Sequence, residues 1–178
     1  MKLESMYQEI ILDHYRTPHH KGLRDPFDAE VHHVNPTCGD EVTLRVKLAS
    51  GPDSATGTSG TSGITVQDVS YDGMGCSISQ ASVSVMTDLV VGKALDEATK
   101  AYDAFLGLMR SKGDTEALSE ADEEVLDDAI AFEGVSKYPA RIKCALLGWM
   151  AWKDATVQAL DAQRTAAPTD VSAHEESA

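Results

Sequence analysis

Positive charge is scarce in this chain. Lys and Arg number 15 against 29 Asp and Glu over 178 residues, for a formal net charge of −14. So acidic a surface is repelled by phosphate backbones and anionic lipid headgroups. Nucleic acid and membranes are therefore poor partners, and a basic patch on another protein is a better one. No apolar run approaches the length of a membrane-spanning helix. The opening stretch MKLESMYQEI has no signal-peptide core. Cysteine is nearly absent as well. There are three, an odd number, far apart and without a CxxC pair. That excludes a disulfide framework and points to a reducing cytoplasm, with thiols kept free for packing, metal or chemistry.

What is present suffices for one domain, since 42% of the residues are hydrophobic. LESMYQEIILDHYR carries Leu3, Tyr7, Ile10, Ile11 and His14 at helical spacing and predicts an amphipathic helix ended by Thr17-Pro18. AEVHHV and EVTLRVKL predict strands. In the second, Val42, Leu44, Val46 and Leu48 alternate with polar residues, so one face is buried. Residues 51–63, GPDSATGTSGTSG, have almost nothing to bury and read as a disordered loop inserted in a hairpin. ITVQDVSYDG follows as a third strand. Cys76 then stands after the turn DGMG at the start of a helix whose apolar face is Ile78, Ala81, Val85, Met86 and Leu89.

A further helix is expected from Leu95 to Met109, and another from an N-cap at Ser119. Between Asp114 and Glu133 lie nine acidic residues and no basic one, read as a solvated face. The last helix opens at KYPARIKCALLGWMAWKDATVQAL, with Pro139 in its first turn and a core stripe of Ile142, Leu146, Trp149, Lys153, Val157 and Leu160. The domain covers 1–164, and 165–178 is expected to be a disordered tail. Strands followed by helices, without β-α-β alternation, predict an α+β fold: a small three-stranded antiparallel sheet with helices packed on one face.

Each cysteine falls at an element boundary. Cys38 is on the loop before a strand, Cys76 on a glycine-rich turn at a helix start, and Cys144 in the early turns of the last helix. Arg141 shares the face of Cys144, and a guanidinium or a helix N-terminus favours thiolate over thiol. Asp40, two residues from Cys38, adds a carboxylate. Placement alone leaves two readings open: one shared metal site, or three unrelated packing cysteines. If the set converges, soft thiolates select zinc, copper(I) or iron–sulfur units. The histidines read as surface or packing residues. Gly73-Met74-Gly75 is not a dinucleotide fingerprint, because Ile78 stands where a small residue is required.

NPTCGDEV, DGMGCSISQASVSVM and YPARIKCALLGW together resemble the NifU/IscU family of iron–sulfur assembly proteins, and most of all its SufU branch. The likeness runs from Met6 to about Leu160. It implies that Cys38, Asp40, Cys76 and Cys144 meet at one exposed site at the tip of the sheet. Lys143 stands where IscU-type scaffolds carry a histidine, and KYPAR stands in place of their chaperone motif. The segment between Cys76 and Cys144 is also longer than in scaffolds. These departures imply the SufU role: a zinc protein that accepts persulfide sulfur from a SufS-type cysteine desulfurase onto Cys38. Asp40 and Arg141 would tune its release, and downstream Suf assembly proteins would receive the sulfur. Such a protein is a sulfurtransferase-like partner rather than a stand-alone enzyme. Two other readings stay open, a scaffold for a transient [2Fe–2S] cluster and a structural zinc module that docks a partner.

Overall fold

In a computed structural model, residues 2–51, 61, 63–114, 116 and 118–166 are described. The disorder expected for 52–60, for 62 and for 167–178 lies outside them. The elements run α1 (Leu3–Arg16), β1 (Ala29–Asn35), β2 (Asp40–Ser50), β3 (Ile64–Met74), α2 (Ser77–Val90), α3 (Leu95–Arg110), α4 (Glu120–Leu126), a 3₁₀ segment (Asp127–Lys137) and α5 (Pro139–Ala166).

The sheet is antiparallel in the order β1-β2-β3. Strict alternation in β2 buries Val42, Leu44, Val46 and Leu48 under the helices. The other face carries Thr43, Arg45 and Lys47. There Arg45 reaches Glu30 at 2.6 Å and Lys47 reaches Asp28 at 2.8 Å. Helices therefore cover one face, as the alternation predicts. The outer edge of β3 is covered in two places. Gly22 donates its N–H to the Tyr71 carbonyl at 2.7 Å, and Gly92 donates to the Val66 carbonyl at 2.7 Å. None of the described helices is long and apolar enough to cross a membrane.

Ser119 caps α4 through a capping box: its side chain accepts from the Asp122 N–H and the Asp122 carboxylate accepts from the Ser119 N–H, each at 3.2 Å. The helix is short. Asp127 adopts a left-handed φ of 45° and the chain continues as 3₁₀ turns. Leu126 at the end of α4 and Ala129, Phe132 and Val135 of that segment face inward, while most of the acidic side chains around them stay in water. Phe132 meets Phe105 edge-on at 5.9 Å, and Phe105 stacks on Trp149 at 4.6 Å. Such aromatic pairs contribute about 0.5–1.5 kcal/mol each beyond their burial.

The last helix departs from its expected stripe. Val157 is 46% exposed, and Ile142, Leu146, Lys153 and Leu160 are only half-buried. The buried residues are Cys144, Ala145, Leu147, Gly148, Trp149, Ala151, Trp152, Ala155, Thr156 and Ala159. Small residues let α5 lie close to the sheet and α2, with the fully buried Trp149 and Trp152 between them, while Ile142, Leu146 and Leu160 flank this face. Cys144, expected off the core stripe, is on it. The helix also continues to Ala166, so 165 and 166 are helical rather than tail.

Candidate metal centre

Three chain segments meet at one end of the sheet. The first is the turn joining β1 to β2. The Asn35 carbonyl accepts the N–H of Cys38 at 3.3 Å and of Gly39 at 2.8 Å, and Asn35 Oδ1 accepts the Thr37 N–H at 3.2 Å. Gly39 has φ +72°, which a side chain would resist. The turn lifts Cys38 to an exposed apex and drops Asp40, 2% exposed, at the first position of β2.

The second segment is the junction of β3 and α2. Cys76 is the N-cap of α2, with extended backbone. Its N–H donates to Asp40 Oδ1 at 3.0 Å, and its Sγ lies 3.6 Å from Asp40 Oδ2. Gly75 makes this approach possible: a Cβ there would stand 2.6 Å from the Asp40 carboxylate and 2.5 Å from the Ser79 hydroxyl.

The third is the start of α5, where Cys144 Sγ lies 3.4 Å from Cys38 Sγ and 4.0 Å from Asn35 Nδ2. An open pocket of about 340 Å³ is lined by Cys38, Asp40, Cys76, Cys144, Gly39, Gly75, Met74, Ala140 and Arg141. All five residues singled out in the sequence thus surround one space. Arg141 is exposed on its rim.

Burial reverses one expectation. The neighbouring guanidinium and helix N-terminus were expected to favour the Cys144 thiolate. The side chain is 1% exposed, and burial, followed by hydrogen bonding to Asp40, Cys38 and Cys76, pushes its pKa far above that of a free thiol. By itself Cys144 is a neutral thiol at pH 7. Ionising it beside Asp40 requires a cation in the pocket.

Asn35 and Ser82 were missed in the sequence reading. An Asx turn in NPT signals the first. The second has no local signal, because its partners lie over 60 residues away. Ser82 on α2 donates to the Ala145 carbonyl at 2.6 Å and accepts from Trp149 Nε1 at 3.2 Å. It ties the helix that starts at Cys76 to the residue after Cys144. Ser82→Ala should cost about 1–3 kcal/mol, because it strands the buried indole N–H. The check is the urea midpoint at unchanged slope, and an unchanged midpoint would remove Ser82 from this role.

Residues 6–145 match the NifU-like N-terminal domain, and the match includes all three cysteines and the aspartate between them. The chain belongs to this family. It is 39% identical over 151 residues to the zinc-dependent sulfurtransferase SufU of Bacillus subtilis, covering 84% of this chain and 88% of that one. It is 35% identical over 162 residues to the iron–sulfur cluster assembly scaffold protein IscU of Streptococcus pyogenes, covering 91% and 89%. The crystal structure of a NifU-like protein (N-terminal) from Brucella abortus matches with a TM-score of 0.69 at 26% identity, over 89% of this chain and 97% of that one. The three-stranded antiparallel sheet with helices on one face is thus the NifU-like arrangement.

Proposed function

We propose that this NifU-like protein is a cytoplasmic sulfur carrier for iron–sulfur cluster assembly, holding zinc at Cys38, Asp40, Cys76 and Cys144. It takes persulfide sulfur from a SufS-type cysteine desulfurase onto Cys38 and passes it to downstream Suf assembly proteins. The observation that carries this reading is the gradient of exposure across the sulfurs. Cys38 is exposed, Cys76 intermediate and Cys144 buried, so one thiol faces a partner while two face inward. Likeness to a zinc-dependent sulfurtransferase over 84% of the chain supports it.

The donor set fits zinc. Cys38, Asp40 and Cys144 bring their donor atoms within 4.8 Å of one another, Cys76 Sγ lies 3.6 Å from Asp40 Oδ2, and the buried Cys144 stays protonated without a positive charge beside it. When bound, zinc holds the thiols as thiolates at neutral pH. The chain's own residues do the rest. Gly39 and the exposed turn let Cys38 Sγ reach the outer sulfur of the partner's persulfide. The Cys38 thiolate forms a new S–S bond to that sulfur, the partner's S–S bond breaks, and the partner departs as a thiolate. No net oxidation occurs. Asp40, held by the Cys76 N–H, keeps its place in the set. Arg141 on the rim attracts the incoming anionic persulfide.

The test is metal analysis of protein purified without added metal, followed by desulfurase turnover with and without it. Expected are zinc in the thiolate centre, no colour, and faster turnover. Arg141→Ala should keep the zinc and lower the rate. A brown protein carrying iron and sulfide would move the function to a [2Fe–2S] scaffold. A colourless zinc protein without effect on turnover would leave only a structural docking module.

A further inference from the structure

A second cluster of metal-binding side chains lies well away from the thiolate centre. It includes Asp88, 12 residues beyond Cys76, roughly 18 Å along α2. His14, 6% exposed, is the one buried residue of α1. Its Nδ1 is 2.8 Å from Ser84 Oγ, which also accepts the His19 N–H at 2.8 Å. Its Nε2 faces two carboxylates, Asp88 Oδ2 and Asp128 Oδ2, each 4.0 Å away. His19 Nδ1 lies 2.6 Å from Asp88 Oδ2, and the two imidazoles are 4.7 Å apart between centroids. The donor atoms of His14, His19 and Asp88 all fall within 4.8 Å of one another.

We propose that His14, His19, Asp88 and Asp128 form a second metal centre, for a zinc-class divalent cation, that clamps α1 to the body of the protein. Four separate parts of the chain supply the ligands: α1, the connection after it, α2 and the 3₁₀ segment. Two imidazoles and two carboxylates suit a borderline transition metal, with zinc first. Two neutral histidines, two carboxylates and one divalent ion sum to zero charge, whereas the thiolate centre with zinc sums to minus two.

The two separations at His14 Nε2 suit a cation, whereas the 2.6 Å His19–Asp88 contact is a hydrogen bond that opens when both atoms ligate one ion. Four-coordinate zinc with nitrogen and oxygen ligands sets neighbouring donors about 3.4 Å apart. The 4.0 Å gaps at His14 Nε2 are too long for hydrogen bonds and close to that spacing. Ser84 holds the other ring nitrogen of His14, the arrangement that fixes a histidine for metal binding. Among the described residues three non-glycines have left-handed backbone, and two of them, His20 and Asp127, adjoin His19 and Asp128. Both loops are thus bent where a ligand must be aimed.

The experiment titrates the purified full chain with zinc and counts bound ions by native mass spectrometry, with melting followed in parallel. A second zinc beyond the one held by thiolates is expected, with a rise in melting temperature. In the double variant His19→Gln, Asp88→Asn the second binding should weaken by more than about tenfold and the zinc-dependent rise should vanish, while the thiolate zinc remains. Cobalt gives an independent readout, because sulfur ligation produces thiolate charge-transfer absorption and this site does not. Asp128→Asn should weaken the second ion without releasing the first. Wild type that binds one zinc only, or a second zinc that survives the double variant unchanged, would overturn the proposal.

Discussion

Cys38→Ser is expected to abolish sulfur acceptance while leaving zinc on the protein. Mass spectrometry after incubation with desulfurase and cysteine should find one added sulfur on wild type, mapped to Cys38, and none above background on the variant. The reason is access. An incoming persulfide must place its outer sulfur in line with an attacking thiolate, and the partner's chain comes with it. Cys38 sits at the apex of a turn whose next residue, Gly39, is left-handed, so the thiol stands clear of both strands. Cys144 is packed beneath it, and Cys76 is fixed as the cap of α2 with its N–H committed to Asp40. Asp40, Cys76 and Cys144 remain as zinc ligands in the variant, so the expected loss is of chemistry and not of fold. An added sulfur on Cys76 or Cys144, with Cys38 unmodified, would sink the assignment.

The parts of this molecule legible in its sequence are those whose cause is local. Alternation in β2 announces a one-sided sheet because a strand's period is two. The start of α4 is legible because Ser119 and Asp122 stand three apart and satisfy each other's backbone N–H. Convergence of the cysteines was not decidable from spacing, since Cys38, Cys76 and Cys144 are brought together by strand pairing and by α5 crossing the sheet. Only the resemblance carried by NPTCGDEV, DGMGC and YPARIKC joined them. The face of α5 was misread for a related reason. Large apolar residues mark a core stripe where helices pack at ordinary distance, but here Ala145, Gly148, Ala155 and Ala159 share the buried face with Trp149 and Trp152 while Ile142, Leu146 and Leu160 are left at its sides. The histidines illustrate the same limit. His14 and His19 flank a helix end, and nothing within their own stretch indicates Asp88 or Asp128.

Cys144→Ser should release the thiolate zinc and lower the melting temperature of the zinc form by roughly 8–16 °C. The size follows from linkage. A ligand present at about a thousand times its dissociation constant stabilises the folded state by about 4 kcal/mol. In a chain of this length each kcal/mol moves the midpoint by roughly 2–4 °C. The protein should nonetheless stay folded, because the core around Trp149, Trp152, Phe105 and Phe132 is complete without the metal. Serine fits the space, and without a cation the native thiol is itself neutral, so little is lost when no metal is bound. Chelator-treated wild type and Cys144→Ser should therefore melt close together, and only added zinc should separate them. Cys76→Ser should behave in the same way, with no loss from the cap, because the Cys76 side chain makes no capping hydrogen bond. In the cobalt form both variants should lose most of the thiolate charge-transfer absorption. If both kept one zinc per chain as purified and melted like wild type, Cys76 and Cys144 would be packing residues and the shared centre would not exist. If instead they melted low even without zinc, the cost would lie in packing against α5 and α2, and the metal would not be what couples this site to the fold.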